Sequence, residues 1–305
     1  MTAAPGHSIK GNITIAAGAT LNFTPATLGT LNLNGTVAQS ITNSGTFGIG
    51  ALQSLTINNA AGVTLNSNIT FGPTTTLTLT SGILRLTPAA TTVTISNGTT
   101  VTGASNASYI DGKVRKIGMT DFTFPVGKTG FGYVPIGISN FIGGAVTDDF
   151  TAEYMRGNAR LLGPVTDPLV DHVSGCDYWT LDLNNGTPTV DITGFWSANN
   201  TCIGPYINNL ATLALVHFDG TNWNSSSVGF NPPPNGNVTA GDITWPGVST
   251  FSPFSLGSSA LDNPLPITIN YFTGIKQSNT HLLNWKLTCN STPYVNIEME
   301  RSTDG

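Results

Sequence analysis

Residues 55–65, Leu-Thr-Ile-Asn-Asn-Ala-Ala-Gly-Val-Thr-Leu, contain the pattern that decides the fold of this chain. Leu55-Thr56-Ile57 and Val63-Thr64-Leu65 each place a polar residue between two apolar ones, and a turn-forming stretch ending in Gly62 separates them. Successive side chains of a β-strand point to opposite faces of the sheet. Each unit therefore predicts a short strand with one apolar face and one polar face.

The same unit recurs throughout residues 1–107. It is found again at Ile13-Thr14-Ile15, Leu21-Asn22-Phe23, Leu31-Asn32-Leu33, Leu77-Thr78-Leu79, Leu84-Arg85-Leu86 and Val93-Thr94-Ile95. So short a strand buries little by itself, whereas stacked coils of about three strands form a continuous apolar core with a polar outer wall. We therefore predict a parallel β-solenoid for residues 1–107.

The competing architecture for this segment is a meander of antiparallel hairpins. Hairpins usually carry Asn-Gly or Asp-Gly turns, and only Asn34-Gly35 and Asn97-Gly98 occur within residues 1–107. The units are irregularly spaced, however, and residues 40–53 lack one, so the meander stays an alternative.

Composition and charge exclude several classes of function. Charged residues make up only 9% of the chain, the formal net charge is -5, and residues 1–110 contain no Asp or Glu. The 11 Lys and Arg are spread along the chain, which argues against a nucleic-acid partner. We interpret the tightest basic group, Lys113, Arg115 and Lys116, as a solvated strand face. No apolar run reaches the roughly 18 residues of a transmembrane segment.

Residues 108–260 have a different sequence pattern, with longer alternating runs at 178–183, 213–218 and 251–256 and many more aromatic residues. Asp219-Gly220 follows one of these runs and is typical of a hairpin turn. Regularly spaced strands with such turns predict an antiparallel β-sandwich. We expect its core to contain Tyr178, Trp179, Trp196, Trp223 and Trp245.

Gly127-Lys128-Thr129 matches the end of a phosphate-binding loop. That loop needs a further glycine five residues before Gly127, where the chain has Phe122, and it must open a helix. Gly130, Gly132 and Pro135 are incompatible with a helix here. We therefore predict a strand, turn and strand, with Lys128 as an exposed turn cation.

The acidic residues do not form a recognisable site. Asp148, Asp149, Glu153 and Asp167 could supply a carboxylate pair for polysaccharide hydrolysis or a calcium site, but their spacing matches no ligand loop, and we interpret them as solvated turn acids. A solenoid segment without carboxylates lacks the groups for acid–base catalysis. We predict no enzymatic activity, no catalytic residue, no cofactor and no metal.

Two further sets of residues give specific hypotheses. His172 and Cys176 suggest a metal or thiol site, but a Cys176–Cys202 disulfide is the better interpretation, which leaves Cys289 over. Trp196 or Trp223 could be a stacking platform of a carbohydrate-binding module. The Thr-rich stretch 74–80 could belong to an ordered hydroxyl ladder, but the irregular spacing of the units does not predict one.

The motifs at 55–65, 77–84, 112–116 and 122–128 together resemble those of large secreted surface proteins of the Bacteroidota type. Residues 265–305, from Leu265-Pro266-Ile267 through Asn284-Trp285 to Asp304-Gly305, look like the first half of a fibronectin type III-like module, with strands at 267–272, 281–287 and 295–301. In that family such a module commonly precedes a type IX sorting domain. The resemblance implies export and cell-surface attachment, and we expect the export signal and the sorting domain to lie outside this segment.

The sequence thus predicts a non-catalytic extracellular segment, structural or adhesive, of a large multidomain cell-surface protein. Its partners would be cell-surface glycans or proteins. The alternative is a carbohydrate-binding accessory module of a secreted polysaccharide-degrading enzyme, which would use Trp196 and Trp223.

Overall fold

The chain forms β-structure throughout in the computed structural model, which describes residues 6–22, 29–48, 54–198, 207–225, 233–260 and 267–289. Among these residues helical structure is limited to the short 3-10 turns Ala159–Leu161 and Leu210–Thr212 and to Ala198. The prediction of an all-β chain with an N-terminal parallel solenoid and later antiparallel sheets is confirmed.

The first part of the chain winds into coils, and each coil contributes one strand to each of three parallel walls. The first wall contains β1 (Gly6–Ile9), β4 (Thr30–Leu33), β7 (Ser54–Asn58), β10 (Thr76–Ser81) and β13 (Thr100–Thr102). The second contains β2 (Ile13–Ile15), β5 (Gln39–Asn43), β8 (Val63–Leu65), β11 (Leu84–Leu86) and β14 (Ile110–Asp111). At the third position of the coils, β3 (Thr20–Asn22) and β6 (Thr46–Gly48) form a two-stranded parallel sheet. The later coils contribute β9 (Ile69–Phe71), β12 (Thr92–Ile95) and β15 (Lys113–Ile117), which belong to a separate, larger sheet.

Inward side chains of successive coils stack in register. Leu31 lies opposite Leu55, which lies opposite Leu77, and each is at most 1% exposed. Burying one such side chain contributes about 1.5–3 kcal/mol. The repeated apolar unit therefore becomes a continuous column of packed side chains, as the sequence predicted.

One corner of the solenoid is held by buried amides. Gln39 occupies an inward position, where its Nε2 donates to the carbonyl oxygens of Ile9 at 3.0 Å and Gly11 at 2.6 Å. Its Oε1 accepts from Asn59 Nδ2 at 2.9 Å, and the same Asn59 nitrogen donates to the Val37 carbonyl at 2.7 Å. These amides join three successive coils. The polar Gln39 also breaks the apolar pattern, which explains why β5 was not predicted.

Glycine at the neighbouring corner is required by space and by backbone conformation. Gly82 has φ +83°, and a Cβ there would lie 1.7 Å from the Asn59 carbonyl oxygen. Only a residue without a side chain fits this turn.

The sandwich consists of two antiparallel sheets. One contains β16 (Phe122–Phe124), β19 (Ile136–Ile142), β23 (Thr189–Ser197), β26 (Asn235–Asn237) and β27 (Ala240–Val248). The other contains β20 (Asp149–Arg156), β21 (His172–Val173), β22 (Asp177–Asn185), β24 (Leu213–Phe218), β25 (Trp223–Asn224) and β28 (Phe254–Ser258). A small hairpin of β17 (Gly127–Lys128) and β18 (Gly132–Tyr133) lies beside them, which confirms the predicted strand, turn and strand.

The solenoid and the sandwich share one sheet, because β15 pairs with a different partner on each edge. It is parallel to β12 of the solenoid and antiparallel to β20 of the sandwich. The apolar core is likewise continuous: Leu31, Ile95, Phe150 and Trp179 all belong to one cluster of buried side chains. The parallel pairing runs to Lys116, past the boundary that the sequence predicted between residues 107 and 108.

The interpretation of Lys113, Arg115 and Lys116 as a solvated face is wrong for Lys116. Alternation along β15 turns Val114 and Lys116 inward, and Lys116 is only 1% exposed. Its Nζ donates to the Ile117 carbonyl at 2.6 Å and lies 5.8 Å from the centre of the Phe122 ring. Burial lowers the pKa of the Lys116 amine.

The last described element is a long hairpin of β29 (Ile267–Gln277) and β30 (Thr280–Cys289). Both strands agree with the sequence prediction for this region. The predicted third strand at 295–301 lies outside the described residues, so the fibronectin type III-like module stays a prediction.

Candidate ligand-binding cleft

A cleft of about 390 Å³ opens where the second wall of the solenoid meets the sandwich. The solenoid and its last turns contribute most of the lining, and the sandwich side contributes a lysine and a glutamate. The lining residues are Thr64, Arg85, Leu86, Thr87, Ala89, Asp111, Gly112, Lys128 and Glu153.

Three of these residues are brought together by the register of the coils. Thr64 of β8 lies opposite Arg85 of β11, and Arg85 lies opposite Asp111 of β14. Neighbouring strands of a sheet are about 4.8 Å apart, so the three side chains form a ladder along the outer face of the wall. They come from three different coils.

Asp111 is firmly held at one end of this ladder. Its Oδ2 accepts from the Thr129 amide at 3.0 Å and from Thr129 Oγ1 at 2.7 Å, and its Oδ1 pairs with Lys128 Nζ at 2.9 Å. Burial pushes the pKa of Asp111 upward, but the bonds from Thr129 and Lys128 outweigh it, so the pKa lies below its ordinary value. The carboxylate stays charged and is mostly satisfied by the protein itself.

The hairpin that carries Lys128 is itself fixed. Tyr109 Oη donates to the Lys128 carbonyl at 2.9 Å, and Gly127 approaches the Tyr109 ring so closely that a Cβ there would lie 2.7 Å from it. The sequence predicted Lys128 as an exposed turn cation; the structure shows in addition that it is the ion-pair partner of Asp111.

The guanidinium of Arg85 has N–H groups that remain available to hydrogen-bond a ligand. Its Nε donates to Thr129 Oγ1 at 3.2 Å, and within the described residues no carboxylate lies within ion-pair distance of its guanidinium. A guanidinium presents several N–H groups in a planar fork that matches a carboxylate. Arg85 can therefore bind an acidic group that enters the cleft.

Glu153 faces the same cleft from β20. Burial raises its pKa, and the nearby cations Lys128 and Lys113 offset this only in part. No described cation lies within ion-pair distance of its carboxyl group. Glu153 can therefore accept a hydrogen bond from a ligand, or donate one when protonated.

Two carboxyl groups whose pKa values are shifted in opposite directions are also typical of acid–base pairs in enzymes. In this cleft, however, Asp111 already accepts three bonds from Thr129 and Lys128, out of about four positions that a carboxylate offers. Only Glu153 is free to act on a substrate. The geometry favours binding over two-carboxylate chemistry.

The predicted stacking residues are not available to a ligand. Trp196 is 5% exposed and Trp223 is 0% exposed, and their indole N–H groups donate to the carbonyls of Asn237 and Ala159. Both pack inside the protein because the sandwich needs large apolar side chains, so their proposed role as a sugar platform is wrong. Their predicted role in the core is confirmed.

Cys176 is disulfide-bonded, but Cys202 lies outside the described residues, so the Cys176–Cys202 pairing stays a prediction. His172, which the sequence placed near a possible metal site, is 3% exposed, and its Nδ1 lies 2.8 Å from Asp171 Oδ2. Within the part of the chain that the structure describes, no three His, Cys, Asp or Glu side chains are grouped as metal ligands.

The acids 148, 149 and 167 have structural partners. Asp148 and Asp149 are each 2% exposed, so their interpretation as solvated is wrong. Asp148 accepts from the Ala145 amide at 3.0 Å, and Asp149 pairs with Arg115 at 2.6 Å. Asp167 binds the backbone and hydroxyl of Ser225 at 2.7 and 2.6 Å. Of the four acids that the sequence singled out, Glu153 alone lines the cleft.

The outer face of the first wall carries a hydroxyl ladder that the sequence did not predict. Thr30, Ser54, Thr76 and Thr100 face one another in successive coils. Coils of unequal length still align these residues, because the length differences are absorbed in the turns between strands. The ladder is regular, but the described residues around it do not indicate which ligand it would bind.

The cleft itself was missed for a related reason. Arg85 and Asp111 are adjacent only through the coil repeat, and Glu153 joins them only through the antiparallel pairing of β20 with β15. Aligning the units at Val63 and Leu84 would have placed Thr64 beside Arg85, and this is the signal that the sequence offered.

A scan of protein-family models and searches of curated proteins and of solved structures found no match to the chain. Among the described residues no helix is long and apolar enough to span a bilayer.

Proposed function

We propose that the chain is a non-catalytic segment of an extracellular cell-surface protein, in which it serves as a rigid spacer and carries an adhesive surface. The observation that supports this most is the sheet that runs without interruption from β12 through β15 into β20. A spacer must keep its two halves in a fixed relation, and a shared sheet with a continuous core does this better than a flexible linker.

The extracellular location is supported by the disulfide at Cys176, because such bonds persist in oxidising compartments. The resemblance to secreted Bacteroidota-type surface proteins points in the same direction. Attachment through a type IX sorting domain and a fibronectin type III-like module at 265–305 are parts of this proposal.

The absence of catalysis is supported by the state of Asp111, which the protein engages on both oxygens. An accessory module that stacks sugars on Trp196 and Trp223 is not proposed, because both indoles are buried.

Unfolding by guanidinium chloride tests the rigid unit. All five tryptophans lie at or beyond Trp179, so their fluorescence follows the sandwich and the hairpin, whereas far-ultraviolet circular dichroism follows every strand. We expect coincident transitions. Separate transitions would contradict the spacer role. Antibodies against the chain should also label intact cells of the source organism, and labelling only after permeabilisation would contradict the surface location.

A further inference from the structure

We infer that the cleft between the second wall and the sandwich binds a sugar that carries a carboxylate, with Arg85 holding the carboxylate. This rests on the proposed adhesive function, because it names the class of ligand that the segment would adhere to.

Arg85 is the group of the cleft that can recognise an anion. Lys128 and Asp111 neutralise each other at 2.9 Å, so the pair contributes little net charge. The remaining charged groups of the lining are the guanidinium of Arg85 and the carboxyl of Glu153. Arg85 has no carboxylate partner among the described residues, and it is oriented by its bond to Thr129. An Arg–carboxylate contact can be bidentate, which fixes orientation as well as position.

The other polar groups select hydroxyls. Thr64 and Thr87 offer hydroxyl groups that donate and accept, and Glu153 offers a carboxyl group with unused capacity. Leu86 and Ala89 are the only apolar side chains of the lining, so the cleft offers little to an apolar peptide side chain. A ligand with one carboxylate and several hydroxyls fits this set best.

The shape of the cleft agrees with an extended ligand. Thr64, Arg85 and Asp111 lie on adjacent strands, so contacts repeat about every 4.8 Å along the wall. The side chains stand on β-strands whose inward neighbours are buried, for example Val63 and Leu84. The groups are therefore held in place before a ligand arrives, which reduces the entropy cost of binding.

Isothermal titration calorimetry at physiological salt tests the inference with four probes: tetragalacturonate, 3′-sialyllactose, a heparin-derived tetrasaccharide and neutral maltotetraose. We expect binding of tetragalacturonate or sialyllactose, and these two separate a uronate from a sialic acid as the source of the carboxylate. We expect no binding of maltotetraose. Absence of binding to both carboxylate sugars overturns the inference, and so does equal or tighter binding of the sulfated sugar.

Variants locate the site. Arg85→Gln should weaken binding at least tenfold, whereas Lys10→Gln, which removes the same charge from an exposed position in the first coil, should change it less than twofold. Thr64→Tyr should fill the cleft and abolish binding without altering charge. Wild-type affinity in both Arg85→Gln and Thr64→Tyr overturns the inference.

The outcomes separate this inference from the proposed function. Absence of binding to the carboxylate sugars, together with coincident unfolding transitions, would overturn the inference about the ligand but leave the proposed spacer role in place. Release of new reducing ends from polygalacturonate, abolished by Glu153→Gln, would instead overturn the non-catalytic role while leaving the ligand class in place.

Discussion

The solenoid and the sandwich share a sheet and a core, yet they bury different kinds of side chain. Inward positions of the solenoid are mainly aliphatic, such as Leu31, Leu55 and Leu77. The sandwich buries large aromatics and polar groups, among them Trp179, Tyr154 and Asp177. Identical coils supply each other with matching neighbours, so small branched side chains fill the solenoid. Two different sheets leave irregular space between them, which needs larger side chains with specific partners.

The largest expected effect concerns an aromatic residue of the sandwich. Trp179 is 2% exposed, contacts Tyr154 and donates from Nε1 to the Val134 carbonyl at 2.9 Å. Trp179→Ala should lower the free energy of unfolding by about 4 kcal/mol, because it leaves a cavity and an unpaired carbonyl. Urea denaturation measures this. Trp285→Ala, at a site that is 40% exposed, is the control and should cost far less. Equal losses would contradict the comparison.

The next effect concerns the amide corner of the solenoid. Asn59→Leu should cost about 2 kcal/mol, because it leaves the Val37 carbonyl without its side-chain donor and the Ala61 amide without its acceptor, and it removes one of the two donors to Gln39 Oε1. Chemical denaturation again provides the measurement. Asn66→Leu removes an exposed amide that bonds Thr42 and should cost less than about 0.5 kcal/mol. A neutral Asn59→Leu would show that the coils do not depend on these bonds.

A smaller, stabilising effect is expected at the boundary between the two regions. Lys116 has a buried amine with no described carboxylate within ion-pair distance. Lys116→Met should raise the free energy of unfolding by about 1 kcal/mol at pH 7, since the charged amine loses hydration on burial. Because burial lowers the pKa of Lys116, wild-type stability should rise as the pH approaches the unfolded pKa, and Lys116→Met should lack this rise. A destabilised Lys116→Met would refute this account.

The smallest effect is a pH dependence of the sandwich. His217 is 6% exposed, its Nε2 has no hydrogen-bond partner in the described structure, and burial lowers its pKa. The unfolded chain therefore binds a proton that the folded chain does not, so stability should fall as the pH drops below the unfolded pKa of His. We expect a loss of about 1 kcal/mol between pH 7 and 5 that is absent in His217→Leu.

Thermal unfolding at several pH values measures this difference. The exposed His281 supplies the matched control, because His281→Leu should keep the wild-type pH dependence. A pH profile of His217→Leu identical to that of the wild type would disprove the role of His217.

The sequence predicted the solenoid well because its strands repeat a local pattern. Seven of the eight units at residues 13–95 fall wholly on strands, and the described part of the eighth, Leu21-Asn22, lies on β3. It missed β5 because Gln39 replaces an apolar residue at an inward position, where hydrogen bonds to Ile9 and Gly11 compensate its burial. The burial of Lys116 was missed because its environment comes from Phe122 and the sandwich.

Predicting the cleft would have required still more information about contacts between distant parts of the chain. Arg85 and Lys128 are the cations of its lining, and neither has a distinctive motif beyond the misleading Gly127-Lys128-Thr129. Their proximity follows from coil register and from the β17–β18 hairpin. Local patterns indicate which residues face outward, but not which of them meet.

The two-sided pairing of β15 has an evolutionary consequence. A gene duplication that inserts one more coil before β9 would find matching neighbours above and below, and it would lengthen the molecule by about 4.8 Å. It would leave Arg85, Asp111 and Glu153 untouched, since these residues lie next to the sandwich. The length of the solenoid and the ligand-binding residues of the cleft could thus change independently in such a protein.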